Sequence, residues 1–292
     1  MKNLLSILEL IRPIGWRASD ILRSYYRGNK QDDLNVEYKD EKGKDPVTAA
    51  DLAVNNYILQ KLKNELGSEE FGYISEETYR NQDGINNSEW VWIIDPLDGT
   101  KDFINKTGEY AIHIALVRNK SPELALVAIP EAEKLYYAIK GGGTFVETLD
   151  GNRKSVRVSQ RDNPQELTLV ASRNHRNERL NYLLEKLTFQ NQKSVGSVGG
   201  KIVAIIEQQA DIYISLSGKS APKDWDMAAP ELILTEAGGK FTHFDGTPLQ
   251  YNTGDISQWG GLLASNGKCH EMLCQQAEMI LQLREQEVGS GE

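Results

Sequence analysis

The chain has 292 residues, 39% of them hydrophobic and 26% charged, with a formal net charge of -9. That length can bury one large core or two ordinary ones, and no apolar run approaches the roughly 20 residues of a membrane span, so no membrane partner is expected. The negative balance argues against a nucleic-acid polymer as partner, but it leaves a small anionic substrate open if metal ions supply positive charge locally.

Leu4 to Ile11 is apolar, yet Glu9 interrupts it and Arg12, Pro13 and Arg17 follow where a signal peptide would need a small-residue cleavage site. A cytoplasmic protein is the simplest expectation. Leu4, Ile7, Leu8, Ile11, Ile14, Ala18, Ile21 and Leu22 recur near helical spacing, which predicts a helix over the first 25 residues, bent at Pro13. Asn29 to Lys44 is polar and reads as a loop or weak hairpin. Thr48 and Asp51 then form a capping-box pattern, with Leu52, Ile58, Leu59, Leu62 and Leu66 as the apolar face of the next helix. Asp51 in that first turn reads locally as a cap.

Phe71 to Ser75 is a short strand candidate that runs into Glu76-Glu77, an acidic pair of a kind usually found in solvated surface. Val91 to Ile94 is another, ended by the turn residues Pro96 and Gly99, which places Asp95 and Asp98 at a strand's carboxyl end. Ligand crevices of open α/β sheets lie at that edge, and two carboxylates with backbone carbonyls between them suit a hard divalent cation. A plain surface turn is the competing reading. From Tyr110 to Val158 the apolar period becomes two, with turns at Asn119 to Pro122, Glu131 to Lys134, Gly141 to Gly143 and Asp150 to Asn152, so an antiparallel meander is expected.

After Ser159 strands alternate with helical segments, and a boundary there divides the chain into units 1-159 and 160-292. Strands are predicted at Leu167 to Ala171, Asp211 to Leu216, Lys240 to Phe244 and Gly261 to Ala264, and helices at Asn177 to Leu187, Gly200 to Gln209 and Glu271 to Leu283. A further helix follows Trp225-Asp226. Because Pro230 is tolerated in a first turn, Asp226 is expected at or just before the first helical residue, where a cap and a ligand are both plausible roles. Gly238-Gly239 can end that helix, and the tail from Glu285 to Glu292 is expected to fray. Cys269 and Cys274, the two cysteines, are too few and too local for a disulfide framework.

Each of these features is weak alone, but their order is specific: Asp51 in a first turn, Glu76-Glu77 after a strand, Asp95-Pro96-Leu97-Asp98-Gly99-Thr100, and Trp225-Asp226 before Gly238-Gly239. It resembles the magnesium-dependent, lithium-sensitive phosphatase superfamily that includes inositol monophosphatase, fructose-1,6-bisphosphatase and the bisphosphate nucleotidases. The resemblance covers about Asp45 to Gly239 and implies a five-layer αβαβα sandwich. Gly99-Thr100-Lys101-Asp102-Phe103 is similar to the Gly-Thr-Lys-Glu-Phe of 3'(2'),5'-bisphosphate nucleotidases, with Asp for Glu. Ser172-Arg173-Asn174-His175 is similar to the Ser-Arg-Ser-His of CysQ-type nucleotidases, with Asn for the second Ser. Gly196-Ser197 to Lys201 is similar to a nucleotide-binding region of those relatives. A lysine near the start of a helix runs against the dipole preference for acids there, and it adds weight to Lys201.

Phosphate monoester hydrolysis is slow through charge repulsion and poor positioning of water, and metals relieve both. Glu76, Asp95, Asp98 and Asp226 with the carbonyl of Leu97 make an all-oxygen set suited to magnesium rather than zinc, and the resemblance implies the same ligands with two to three Mg2+ per site. It further implies that Thr100 orients the attacking water with Asp51 as partner carboxylate, Glu76 sharing in the catalytic set. Gly99, Thr100, Lys101, His175, Ser197 and Lys201 are then the candidates for substrate contact. The expected substrate is adenosine 3',5'-bisphosphate, with its sulfated precursor alongside, in sulfur assimilation. Inositol phosphate ranks second and sugar bisphosphates third, and a monomer and a homodimer are equally open.

Overall fold

The structure is a computed structural model that describes residues 3–28, 35–39, 46–67, 70–79, 85–174 and 176–289. Helix α1 (Leu4–Arg27) opens on Asn3, whose side chain accepts from the Ser6 N–H, and it runs unbroken through Pro13. A short antiparallel pair follows, β1 (Glu37–Tyr38) with β2 (Pro46–Val47), so the arms of the expected hairpin pair while its tip lies outside the described residues. Helix α2 (Ala49–Leu66) comes next. Its buried face is Ala50, Asp51, Val54, Asn55, Ile58, Leu59 and Leu62. Leu52, expected on that face, is exposed instead, because the stripe through Asp51, Val54, Asn55 and Ile58 turns toward the sheet.

The first large sheet has the strand order β3 (Gly72–Ser75), β4 (Trp90–Asp98), β5 (Ala111–Arg118), β6 (Ser121–Ile129), β7 (Lys134–Ile139), β8 (Thr144–Thr148) and β9 (Arg153–Val156). All neighbours are antiparallel except β3 and β4. The expected meander is therefore present. The strand through Val91 to Ile94 does not stop at Pro96, however. It continues to Asp98 with a register shift between Asp95 and Asp98, and a bulge is where a strand interior tolerates a proline. Helix α3 (Thr100–Ile104) starts two residues later.

The second sheet is mixed, with the order β11 (Asn191–Val195), β10 (Thr168–Ser172), β12 (Ile212–Leu216), β14 (Gly261–Ser265) and β13 (Lys240–His243). Strand β11 was not expected, because Asn-Gln-Lys-Ser-Val carries no apolar period and lies exposed at the sheet edge. Helices α4 (Glu178–Leu187), α5 (Val198–Ile206), α6 (Asp224–Glu236) and α7 (His270–Gly289) complete the chain. Helix α6 begins at Asp224, two residues before the expected start. Pro230 thus sits past the first turn, where its lack of an N–H leaves the Asp226 carbonyl without the usual i→i−4 donor. Helix α7 runs to Gly289, so the expected fraying from Glu285 does not occur within the described residues; Glu285 pairs with Arg179 on α4 at 2.8 Å.

Three apolar cores fix the layers. Trp92, Ile94, Ile114 and Leu126 pack against Ile11, Leu22, Ile58 and Leu62 of α1 and α2. The opposite parity, Val91, Ile93, Ala115 and Val127, faces Ile202, Ile205, Ala228 and Ile233 of α5 and α6, which also meet Val170, Tyr213 and Leu262 of the second sheet. Leu169, Ile214 and Leu263 then turn to Leu183 of α4 and Ala277 of α7. The order is α1/α2, sheet, α5/α6, sheet, α4/α7, the expected αβαβα sandwich. Both faces of β4 are covered, which is why its run is continuously apolar rather than alternating. Gly15 lets α1 come close, since a Cβ there would stand 3.0 Å from Leu126 and Leu135 side chains.

Candidate active site

The parallel pairing of β3 with β4 sets Ser75 beside Ile94, and the Glu76 N–H continues the ladder to the Ile94 carbonyl at 3.2 Å. Glu76 therefore emerges next to Asp95, where β4 bulges. Asp95 Oδ1 accepts from the Leu97 N–H at 3.0 Å, which bends the chain so that the bulge ends in Asp98. Gly99 follows in the left-handed region at φ 94°, and a Cβ on it would meet the Glu109 carbonyl at 3.0 Å. Only glycine gives both the conformation and the clearance that start α3 at Thr100.

Asp51 is at once cap and candidate base. Its Oδ2 accepts from the Thr48 N–H at 2.8 Å and from the Thr48 hydroxyl, closing the capping box. Its Oδ1 faces Thr100 Oγ1 at 3.2 Å, and that hydroxyl also lies 3.2 Å from the Leu97 carbonyl. Burial, aided by Glu77 and Glu76 and opposed by the Thr48 hydrogen bonds, pushes Asp51 up to about 7. The cap holds the carboxylate still while leaving one oxygen for Thr100.

Asp226 is likewise fixed by a cap, its Oδ2 accepting from the Lys223 N–H at 2.6 Å in the first turn of α6. Asp98 is fixed across layers: Oδ2 accepts from the Gly199 N–H at 2.8 Å and lies 3.1 Å from His113 Nε2. The other ring nitrogen of His113 donates to the Trp225 carbonyl at 3.2 Å, so this buried histidine ties β5 to α6 and to the acid loop. Gly199 must be glycine, for a Cβ there would fall 2.5 Å from His113 Nε2.

These surroundings push two aspartates three residues apart in opposite directions. Burial first, then the charges of Glu76, Asp98 and Asp226, holds Asp95 well above the carboxylate range. Burial also acts on Asp98, but His113, Lys201 and the Gly199 N–H outweigh it and lower Asp98. Asp226 is pushed up to about 7 by burial and by Asp98. Lys39 donates to Glu76 at 2.8 Å and to Glu77 at 2.7 Å, and the two acids raise it despite burial. Among the described residues no three Asp, Glu, His or Cys side chains are already grouped to hold a metal ion. The fit to a divalent cation therefore rests on charge and donor type: an all-oxygen, sparsely hydrated set with more negative charge than nearby cations balance.

On the other side of Gly99, Lys101 stands half-buried in α3 with no side-chain partner among the described residues. Ser197 caps α5, its Oγ accepting from the Gly200 N–H at 3.0 Å. Lys201 is buried beneath that turn, donating to the Gly196 and Ser197 carbonyls at 2.8 and 2.9 Å, with its Nζ 5.3 Å from the Tyr213 ring centroid. Burial lowers it to about 8. Its position against the helix dipole is thus explained by carbonyls outside the helix.

A model of the inositol monophosphatase family matches residues 3–282. The chain belongs to the inositol monophosphatase family. It is similar to the 3'(2'),5'-bisphosphate nucleotidase CysQ of Buchnera aphidicola, 35% identical over 246 residues covering 84% of this chain and 88% of that protein. The protein of the same name from Salmonella typhimurium is 31% identical over 245 residues, covering 84% and 94%. Among solved structures, the IMPase of Thermotoga maritima superimposes with a TM-score of 0.77 at 21% identity over 95% of this chain and 98% of that one. The inositol monophosphatase of Anabaena gives 0.72 at 24% over 95% and 97%. These two show the shared fold.

Within this family member, the structure brings Asp51 to Thr100 and puts Glu76, Asp98 and Asp226 within electrostatic reach of Asp95. His175 lies outside the described residues. Sequence reasoning passed over His113 and Lys39, and it named Glu77 and Gly199 only within the acidic pair and the Gly196 to Lys201 stretch, without their contacts to Lys39 and Asp98. His113 had a signal, a lone histidine inside an apolar strand. Gly199 and Lys39 had none, since the need for each arises from a neighbour more than 35 positions away.

Proposed function

We propose that this protein is a magnesium-dependent phosphatase that removes the 3'-phosphate of adenosine 3',5'-bisphosphate, accepting the sulfated counterpart 3'-phosphoadenylyl sulfate as well. The observation that carries the hydrolytic reading is the Thr100–Asp51 pair set beside a carboxylate cluster with excess negative charge. The choice of nucleotide is supported by the CysQ relatives and by Lys101, a cation one residue past Thr100 with no side-chain partner among the described residues.

Glu76, Asp95, the Leu97 carbonyl, Asp98 and Asp226 would hold two to three magnesium ions, which when bound offset phosphoryl charge and lower the pKa of a coordinated water. The chain's own residues supply the rest. Thr100 gives its hydroxyl hydrogen to Asp51, which leaves the oxygen lone pairs to accept from an attacking water and fix its orientation. Asp51, raised above the usual carboxylate range chiefly by burial, is the proton acceptor within reach of Thr100. Backbone N–H groups of Gly99 and Thr100 are available to a phosphoryl oxygen. Lys101, Ser197, Lys201 and His175 make up the nucleotide side, Ser197 and Lys201 by shaping the turn. The same reading includes inhibition by lithium and a cytoplasmic role in sulfur assimilation.

The experiment is phosphate release from adenosine 3',5'-bisphosphate and from inositol 1-phosphate at matched concentrations, with magnesium, with EDTA and with lithium. The nucleotide should be the faster substrate and EDTA should stop both. Faster turnover of inositol 1-phosphate would reverse the substrate assignment, and EDTA-resistant hydrolysis would remove the metal.

A further inference from the structure

Asp102, next to Lys101, is 2% exposed and accepts three hydrogen bonds. Arg173 Nη1 donates to Oδ1 at 2.7 Å, Asn174 Nδ2 to Oδ2 at 2.7 Å and Thr107 Oγ1 to Oδ1 at 3.1 Å. Arg173 also grips Glu109, Nη1 at 2.9 Å from Oε2 and Nη2 at 3.0 Å from Oε1. Glu109 Oε2 in turn accepts from the Gly196 N–H at 2.8 Å. Gly196 closes the ring by contact, because a Cβ there would lie 2.2 Å from Asp102 Cγ. One carboxylate thus joins α3, the end of β10 and the turn before α5. Those are the three segments that carry Lys101, Arg173-Asn174 and Gly196-Ser197.

From this ring we infer that Asp102 is a positioning residue that locks the three substrate-side segments into one frame and so sets affinity for the part of the substrate that does not react. The inference rests on the functional reading above only in assigning these segments to the substrate side. Arg173 is not the phosphate anchor that its neighbourhood suggests, since two carboxylates already engage its guanidinium. Among the described residues of these segments, Lys101 is the cation without a side-chain partner. Asp102 touches neither Thr100 nor the acid cluster through any of these bonds, so its loss should act on binding before chemistry.

The test compares Asp102→Asn with wild type by steady-state kinetics and by amide hydrogen exchange. On whichever phosphate ester the wild type turns over best, KM should rise about tenfold, the scale of losing one charge-assisted hydrogen bond, with kcat changed far less. Exchange should quicken at 172–174 and 196–199 and stay unchanged at 95–98. An unchanged KM, or exchange unchanged in either segment, overturns the inference. If Asp102→Asn fails to fold, Arg173→Gln is read by the same two measurements, with Arg173→Lys expected to restore part of the affinity. A wild type that prefers inositol 1-phosphate would refute the nucleotide assignment without touching this ratio, and the exchange result stands even if no ester is hydrolysed.

Discussion

The two sides of Gly99 are built by different physics. On the acid side, Asp51 and Asp226 are held by caps to residues three positions away and Asp95 by an N–H two positions away, with Asp98 the exception, tied across layers to Gly199 and His113. On the substrate side, Asp102 reaches Arg173 across 71 positions and Glu109 reaches Gly196 across 87. Local bonds form with the helix or strand that contains them and are hard to lose singly. Long-range bonds exist only once the layers have assembled, so that side can vary its ligand while the acid side keeps its chemistry. Charge differs too: the acid side is overloaded with negative charge, whereas the substrate side closes its carboxylates on one guanidinium.

The sharpest break is Asp95→Asn. If the acid side is a cation site, removing its most buried carboxylate should lower kcat/KM by roughly a thousandfold or more, the scale of losing a preorganised electrostatic group, at every magnesium concentration. Activity restored by extra magnesium would mean that Asp95 only tunes affinity. Next in size is Thr100→Ala, for which a loss in kcat of about a hundredfold is expected from misplacing water and its proton acceptor, with KM nearly unchanged. Thr100→Ser should recover most of it, because the hydroxyl facing Asp51 is kept. A serine variant as poor as the alanine one would show that the methyl group, not the hydroxyl, matters.

The difference between the sides also explains what the sequence revealed. The acids were legible because cap spacing, strand ends and a proline leave short-range marks, and their order along the chain carried the family. Even there the mark at Pro96 misled: it signals a turn in most contexts, but here the partner strand β5 extends pairing past it and turns the break into a bulge. The start of α6 misled in the same way, since tertiary contacts hold a helix through Pro230 that propensity alone would end. The hairpin meander followed from the period-two pattern, whereas the five layers came with the family resemblance and not from periodicity. Asp102, Arg173 and Gly196 were visible only inside motifs read for substrate contact; that they pair with one another and with Glu109 left no trace, because those partners are set by layer packing. Lys201 was conspicuous in sequence by its unusual place near a helix start, and its partners are carbonyls beneath the turn, which account for that place without a substrate.

Lys101 tests the substrate side more gently than Asp102 does. Lys101→Ala should raise KM for adenosine 3',5'-bisphosphate by about tenfold, the value of one half-buried cation on a phosphate, while inositol 1-phosphate changes by less than about threefold. An equal loss on both substrates would place Lys101 at the scissile phosphate and move the border between the two sides by one residue.

Glu231 provides the smallest and cleanest contrast, a carboxylate on the same helix as Asp226 but without the cluster. Its Oε2 is sealed from water and meets no well-formed hydrogen bond among the described residues, and burial raises the group from 4.5 to about 7, against the opposing effects of the neighbouring Tyr251 hydroxyl and of Lys140. The folded chain therefore keeps a proton that the unfolded chain releases between pH 4.5 and about 7, so stability is highest at the acid end and falls as pH rises through that window. The full cost, at most about 3 kcal/mol, is present above it. Glu231→Gln should raise Tm by roughly 5 °C at pH 8 and by little at pH 5. Saturating magnesium should raise Tm as well, because a cation that binds only the folded state stabilises it. The two increments should add, since Glu231 shares no partner with the acids. If magnesium cancelled the gain from Glu231→Gln, the cation would be relieving Glu231 too, and the negative region would extend a turn further along α6 than the Asp95 cluster.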